Sequence, residues 1–248
     1  MALKSRGLGA LLAAWTVVVP GALAGGGVAY ASNRQALANA SGNPYFPLVV
    51  GATWKYKQMA GPAAGQAMTV HVVSAHKTPA GEAVEVQDSV GAATVTGSYV
   101  IGANGAIEIE VAAGGSARAT ISGSGNSDYF IPRASQISSC HPCRFTAVFT
   151  ASSPGGSIRS HMTEAATSAG VQAVHVPAGT FRAQKLQMVL KITSAGAPIS
   201  FDDTVDYSVY LAKGVGMVET GAGTVSTSVM GHTTSVPTGS EELIGYTP

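Results

Sequence analysis

The chain has 248 residues, of which 11% are charged and 46% are hydrophobic, and its formal net charge is +1. A typical soluble domain carries about 25% charged residues, so Ser, Thr, Gly and Ala must cover this surface instead. Near-neutral charge argues against nucleic acid and anionic membrane surfaces as main partners, because both are held by concentrated Lys and Arg.

Lys4 and Arg6 precede a charge-free run from Leu8 to Ala24, and Ala29-Tyr30-Ala31 is the small-x-small pattern that a signal peptidase cuts. Residues 1–31 are therefore expected to be a signal peptide, an N-terminal helix that exports the chain to the periplasm, the cell surface or the medium. Membrane contact is expected only through this segment, and only if it stays uncleaved. The run is long enough to span a bilayer at about 20 residues, but Pro20 and Gly25-Gly26-Gly27 interrupt it as a spanning helix. Cysteine is absent from the cleavage region, so a lipid-modified N-terminus is not expected. Without Lys4 and Arg6 the balance is 12 basic residues against 13 acidic. Residues 32–44 read as a tether. Residues 45–248 read as one domain, since a single all-β unit can exceed about 200 residues.

The domain opens on Tyr45-Phe46-Pro47-Leu48-Val49-Val50-Gly51-Ala52-Thr53-Trp54-Lys55-Tyr56, an extended entry, a turn at Gly51 and a first strand with Trp54 and Tyr56 on one face. Trp54 is the only Trp after Ala31. A buried anchor is the first reading for such a ring, and stacking on a ligand is the second. From Met68 the chain reads as one strand after another: 68–77, 83–90, 94–101, 106–111, 117–122, 144–150 and 156–164. Thr78-Pro79-Ala80-Gly81 and Asn104-Gly105 supply explicit turns. In the strand after Asn104-Gly105, Ile107, Ile109 and Val111 alternate with Glu108 and Glu110, the pattern of half-buried antiparallel sheet. The stretch 160–169 also allows a short helix.

Cys140-His141-Pro142-Cys143 is the one motif with overt chemical meaning. In an oxidising compartment this spacing most simply closes a small disulfide loop between Cys140 and Cys143. A redox pair is the second reading, but it needs a helix N-terminus to activate the thiol, and Arg144 to Phe149 alternate like a strand. A zinc site using His141 ranks third, because a four-ligand site needs a second ligand pair. His71, His76, His161, His175 and His232 are scattered without ligand spacing, and Ser122-Gly123-Ser124-Gly125 lacks a nucleophile-elbow pattern. No metal, cofactor or catalytic residue is expected, and the chain reads as a non-enzyme.

Val176-Pro177-Ala178-Gly179-Thr180-Phe181 leads into the strongest pattern in the chain. Pro177 removes a ladder donor, Gly179 permits a tight turn and Phe181 anchors the start of a long strand. Leu186, Met188, Leu190 and Ile192 face one way, and Lys185, Gln187, Lys191 and Thr193 the other, which is strand periodicity. After a turn at 194–198, Val205, Tyr207, Val209 and Leu211 alternate with Asp202, Thr204, Asp206 and Ser208, so the two strands should pair as a hairpin. A one-residue slip would set Leu190 and Ile192 against the polar set. Paired residue numbers must therefore sum to an odd number, with Lys185 and Lys191 on the face of Asp202 and Asp206. Asp202, Asp203 and Asp206 fall on both sides of the strand, so a solvated face is preferred to a cation site.

Three landmarks, Tyr45-Phe46-Pro47-Leu48 with Gly51 and Trp54, Val176 to Phe181, and Tyr210-Leu211-Ala212-Lys213-Gly214-Val215-Gly216-Met217-Val218, resemble a pattern in exported bacterial envelope proteins. That group is similar to the half-barrel envelope proteins that include periplasmic lipoprotein carriers. The resemblance implies a strongly curved antiparallel meander, a half-barrel or open barrel, whose concave face accepts an acyl chain or another apolar partner. Physically, Gly214 and Gly216 read as the bend between two strands; neither a following helix nor the Lys-Ser/Thr of a phosphate loop is present.

Two functions follow. In the first, a non-enzymatic envelope protein binds a lipid, another apolar ligand or a lipidated partner against a concave face, with Trp54, Met188, Leu190, Val205 and Val209 as ligand-binding residues. In the second, the same residues form a closed core, and the protein is a structural or assembly component that self-associates through a free sheet edge.

Overall fold

A computed structural model describes residues 43–61, 64–79, 81–91, 93–101, 107–112, 118–123, 134–153, 156–194, 201–229 and 231–248. The expected signal peptide, residues 32–42 of the tether, the Asn104-Gly105 turn, positions 195–198 and Ser124-Gly125 lie outside the described residues. Among the described residues the chain forms β1 (Thr53–Gln58), β2 (Ala67–Thr78), β3 (Gly81–Val90), β4 (Ala93–Ile101), β5 (Ile107–Ala112), β6 (Arg118–Gly123), a one-turn helix α1 (Ala134–Ile137), β7 (Cys143–Ser153), β8 (Gly156–Val176), β9 (Gly179–Ser194), β10 (Phe201–Ala212), β11 (Gly216–Val229), β12 (His232–Pro237) and β13 (Glu241–Thr247).

The expected single antiparallel sheet is what forms, in the order β5-β4-β3-β2-β1-β13-β11-β10-β9-β8-β7-β6. Two meanders, β1 to β5 and β6 to β11, are joined by the C-terminal strand, which pairs with β1 on one side and with Glu219 and Thr220 of β11 on the other. β12 pairs with the far half of β11, Thr224 to Val229. β5 and β6 stand at opposite ends of this order, yet their Cα atoms come within 8 Å of one another. A sheet whose first and last strands are neighbours has to roll up, as right-handed strand twist favours. Among the described residues no hydrogen-bonded ladder joins β5 to β6, so the roll keeps an open seam.

The β9–β10 hairpin takes the expected parity: Leu190 lies opposite Val205 and Met188 opposite Tyr207. Leu186, Met188, Leu190 and Ile192 are buried, whereas Gln187, Lys191 and Thr193 are exposed. Lys191 stands opposite Thr204, between Asp202 and Asp206 along β10. Lys185 shares that face but lies over the Tyr210 ring, 5.2 Å from its centroid. Ser208, expected on the solvated face, is buried, because irregular pairing with β11 between Asp206 and Ser208 brings it against Gly221. Pro177-Ala178 form the β8–β9 turn, and Gly179 adopts φ +139°, a value that L side chains rarely reach.

The helix allowed at 160–169 does not form; β8 continues through it to Val176. Met162, Glu164 and Ala166 are buried at every second position, so the stretch is a strand by burial. A bulge between Ser168 and Val171, with Gly170 at φ +86°, then carries β8 onward.

Residues 43–50 fold back across one mouth of the roll, so Asn43 and Pro44 belong to the packed body rather than to a tether. The Gly214 N–H, in the β10–β11 turn, donates to Pro44 O at 2.7 Å, and the Gly51 N–H donates to Val72 O at 2.9 Å. Tyr45, Phe46 and Leu48 are buried. Phe46 meets Tyr99 of β4 edge to face at 5.4 Å, and Lys213 Nζ lies 5.5 Å from the Tyr45 ring centroid. This apolar plug extends the buried cluster of the inner face.

Candidate functional site

The inner face of β8, β9 and β10 is built in rows, since paired residues share a face. Ala166, Met188 and Tyr207 form one row, Glu164, Leu190 and Val205 the next, then Met162, Ile192 and Asp203, then Ser160 and Ser194. Four of the five residues expected to bind ligand therefore lie on one patch of this face or beside it: Met188, Leu190, Val205 and Val209. Met188, Leu190 and Val209 are buried and Val205 is half-buried. Trp54 stands apart on β1. Its ring is fully buried and stacks on Tyr246 at 5.4 Å, in the same continuous cluster.

The polar members of the patch were not foreseen. Glu164 is 2% exposed, and its Oε1 accepts a hydrogen bond from Tyr207 Oη at 3.2 Å. Glu164 Oε2, Ser194 Oγ and Asp203 Oδ1 have no hydrogen-bond partner. Burial pushes Glu164 up to about 8, against a small lowering by the Tyr207 hydrogen bond, so the carboxyl is neutral at pH 7. Burial also raises Asp203, which the Thr227 side chain partly offsets and Asp202 reinforces. A signal for both acids exists in the sequence. Asp203 has the parity of Val205 and Tyr207, and Glu164 has that of Met162 and Ala166.

A second buried polar group lies between β13 and β3. Glu241 is 1% exposed, takes a hydrogen bond from Gln58 Nε2 through Oε1, and leaves Oε2 unpartnered. Its backbone N–H donates to Thr220 Oγ1 at 3.1 Å. Burial, then the charge of Asp88, pushes Glu241 up to about 7, and burial pushes Asp88 to about 7. Tyr56, which donates to Met217 O at 3.0 Å, is raised by burial and by both carboxylates. Gln58 and Glu241 thus fasten the C-terminal strand to β1 from inside.

Cys140 and Cys143 form the expected disulfide, with Cα atoms 4.8 Å apart. The pair follows α1, and Cys143 is the first residue of β7, so among the described residues no helix starts at either cysteine. Cys140 is buried, and its carbonyl accepts the Ser168 N–H at 2.8 Å, which ties the start of β7 to the β8 bulge. Among the described residues no group of three or more His, Cys, Asp or Glu is arranged to hold a metal ion. His71 and His175 instead bond Thr53 and Thr180 on neighbouring strands, at 2.8 and 2.9 Å.

No family model and no curated protein matches the sequence. Among solved structures, the chain is similar to one assigned as a lipoprotein of Parabacteroides distasonis, with 15% identity, a TM-score of 0.46, and coverage of 82% of this chain and 98% of that one. It is similar also to one assigned as an exported protein with a YmcC-like fold from Bacteroides fragilis, with 12% identity, a TM-score of 0.46, and coverage of 81% and 97%. Neither likeness assigns an activity to this chain.

Proposed function

We propose that this chain is a non-enzymatic exported protein whose rolled sheet holds an apolar ligand, or the acyl group of a lipidated partner, against Met188, Leu190, Val205 and Val209. One observation carries the reading: Glu164 Oε2, Ser194 Oγ and Asp203 Oδ1 project from this inner patch, more than nine-tenths buried and without partners. Each orphaned buried polar atom costs about 1 to 3 kcal/mol, and three on one patch of a closed core would be an unusual load. An occupant with polar atoms among apolar ones relieves it. The seam between β5 and β6 offers a way in, since no ladder among the described residues spans it. Export rests on residues 1–31 and on the Cys140–Cys143 bond, a linkage that persists in oxidising compartments.

Titration of the purified chain with pyrenedecanoic acid methyl ester tests the proposal. A saturable change in pyrene emission, reversed by unlabelled diacyl lipid, is expected; emission that only rises linearly with probe would contradict it.

A second reading has its own observation. Among the described residues β12 pairs with β11 alone, and all six of its residues are exposed, Val236 at 52%. A free edge of this kind templates pairing with another strand, although Pro237 and the shortness of β12 work against it. Sedimentation equilibrium separates the two: a monomer that binds the probe supports the ligand reading, and a dimer abolished by Thr234→Pro supports edge pairing.

A further inference from the structure

We propose that Glu164 is the polar anchor of the internal site: its carboxyl, held on one side by Tyr207, presents Oε2 to the ester carbonyl of an acyl chain lying along Met188, Leu190 and Val205. The inference rests on the ligand-binding reading above and adds the chemistry that the ligand must carry. Glu164 stands at the β8 margin of the apolar patch, flanked by Leu190 in its own row and by Met162 and Ala166 along β8. A carboxyl in such a place normally has both oxygens satisfied. Here Tyr207 Oη donates to Oε1, and Oε2 alone is left open.

The donor and acceptor inventory sets what fits. Burial keeps the carboxyl protonated at neutral pH, with Oε1 already accepting from tyrosine. What that leaves at Oε2 is one O–H donor, with only the weaker acceptor capacity of a hydroxyl oxygen beside it. Its complement is a neutral acceptor, and an ester carbonyl brings one together with an apolar chain. A free fatty acid fits less well, because its carboxylate would have to be buried as a charge.

The electrostatic surroundings are simple. From β10, Tyr207 faces Glu164, and Asp203 lies one row further on; from β9 come only Leu190, Met188 and Ile192. On β7 the register partner of Glu164 is Phe145, while Arg144 is exposed and paired with Ala165. Lys191, Asp202 and Asp206 point to the other side of the sheet and are exposed. Among the described residues of this face, Tyr207, Asp203 and the Ser194 hydroxyl are the other groups able to meet a ligand acceptor, and Glu164 is the one that shares a row with Leu190 and Val205.

The test compares pyrenedecanoic acid methyl ester with decylpyrene, which lacks the carbonyl, on the wild type and on Glu164→Gln and Glu164→Leu. The wild type should prefer the ester by about tenfold, the worth of one buried hydrogen bond. Glu164→Gln keeps an acceptor for Tyr207 and a donor for the carbonyl, and should keep the preference. Glu164→Leu should bind both probes alike. Raising the pH from about 6 to about 9 should weaken ester binding roughly tenfold in the wild type and move the Gln variant far less, since position 164 then has no proton to lose and Asp203 is the one raised carboxyl left on the patch. An ester preference retained by Glu164→Leu, or a wild type without preference, overturns the anchor and leaves the ligand reading standing. Failure of the wild type to bind either probe overturns both. If the Leu variant does not fold, the contrast between the wild-type and Gln pH profiles decides the matter.

Discussion

Replacing Glu164 by Gln should change how the stability of this protein depends on pH, apart from any effect on binding. In the native chain burial lifts this carboxyl from its ordinary 4.5 to about 8. As pH rises the unfolded chain releases the proton first and the native chain holds it, so the native state binds more protons across that window and stability falls. Below the ordinary value both states are protonated and the penalty is absent; above about 8 it is complete. At about 1.4 kcal/mol per pH unit, the full penalty is on the order of 4 to 5 kcal/mol, an upper figure for a group whose surroundings can relax. Glutamine escapes it, at a cost of about 1 kcal/mol for an amide that is imperfectly satisfied beside Tyr207. Urea titrations followed by Trp54 emission should show the variant equal to or slightly below the wild type at about pH 5. At about pH 8 it should be more stable by roughly 3 kcal/mol. Parallel stability curves for the two proteins from pH 5 to pH 8 would refute the reasoning, because then Glu164 either titrates normally or meets water.

Other consequences can be measured by the same titrations. Asp88 and Glu241, both pushed to about 7, add a loss of stability of the same sign that ends near neutral pH, so Glu241→Gln should flatten the wild-type curve below about pH 7. Trp54→Ala should cost about 3 to 5 kcal/mol, because a fully buried ring stacked on Tyr246 is lost and a cavity left; a cost under about 1 kcal/mol would mean that the site collapses around it. Gly223→Ala should be among the most damaging small changes, since its Cβ would lie 1.7 Å from the Asp206 carbonyl oxygen, whereas Gly245→Ala meets nothing within 4 Å. Overpacking of the first kind costs about 1 to 3 kcal/mol or more, and equal effects at the two glycines would contradict the described path of β11. Cys140→Ser should lower stability by about 2 kcal/mol, as expected for so short a loop, without altering probe binding; lost binding at unchanged stability would restore a chemical role for the pair.

Much of the architecture was legible where large apolar residues alternate with charged ones. Leu186 to Ile192 and Val205 to Leu211 define faces, and faces fix the parity of the register, so that Leu190 faces a member of the Val205 set follows from local pattern, whereas Val205 itself as the partner does not. The same logic weakens where side chains are small. Ala165, Ala166, Ser168, Ala169 and Gly170 leave no contrast between the two faces of β8, and the alternation of Met162, Glu164 and Ala166 is masked because its middle member is an acid. β11 beyond Val218 and all of β12 are dominated by Thr, Ser and Gly, so their strands went unread. The place of β13 between β1 and β11 depends on contacts across almost the whole chain, such as Trp54 with Tyr246, which no local window contains. The buried carboxylates were hidden by expectation: a charged residue reads as solvent-facing until its parity is checked against its neighbours.

Internal ligand binding is tested most directly by native mass spectrometry of the protein purified without detergent. Monomers should carry a substoichiometric or full complement of an acyl-ester species that leaves on collisional activation, and less of it on the Glu164→Leu protein. Ligand-free copies throughout, with dimers that persist on dilution, would contradict internal binding.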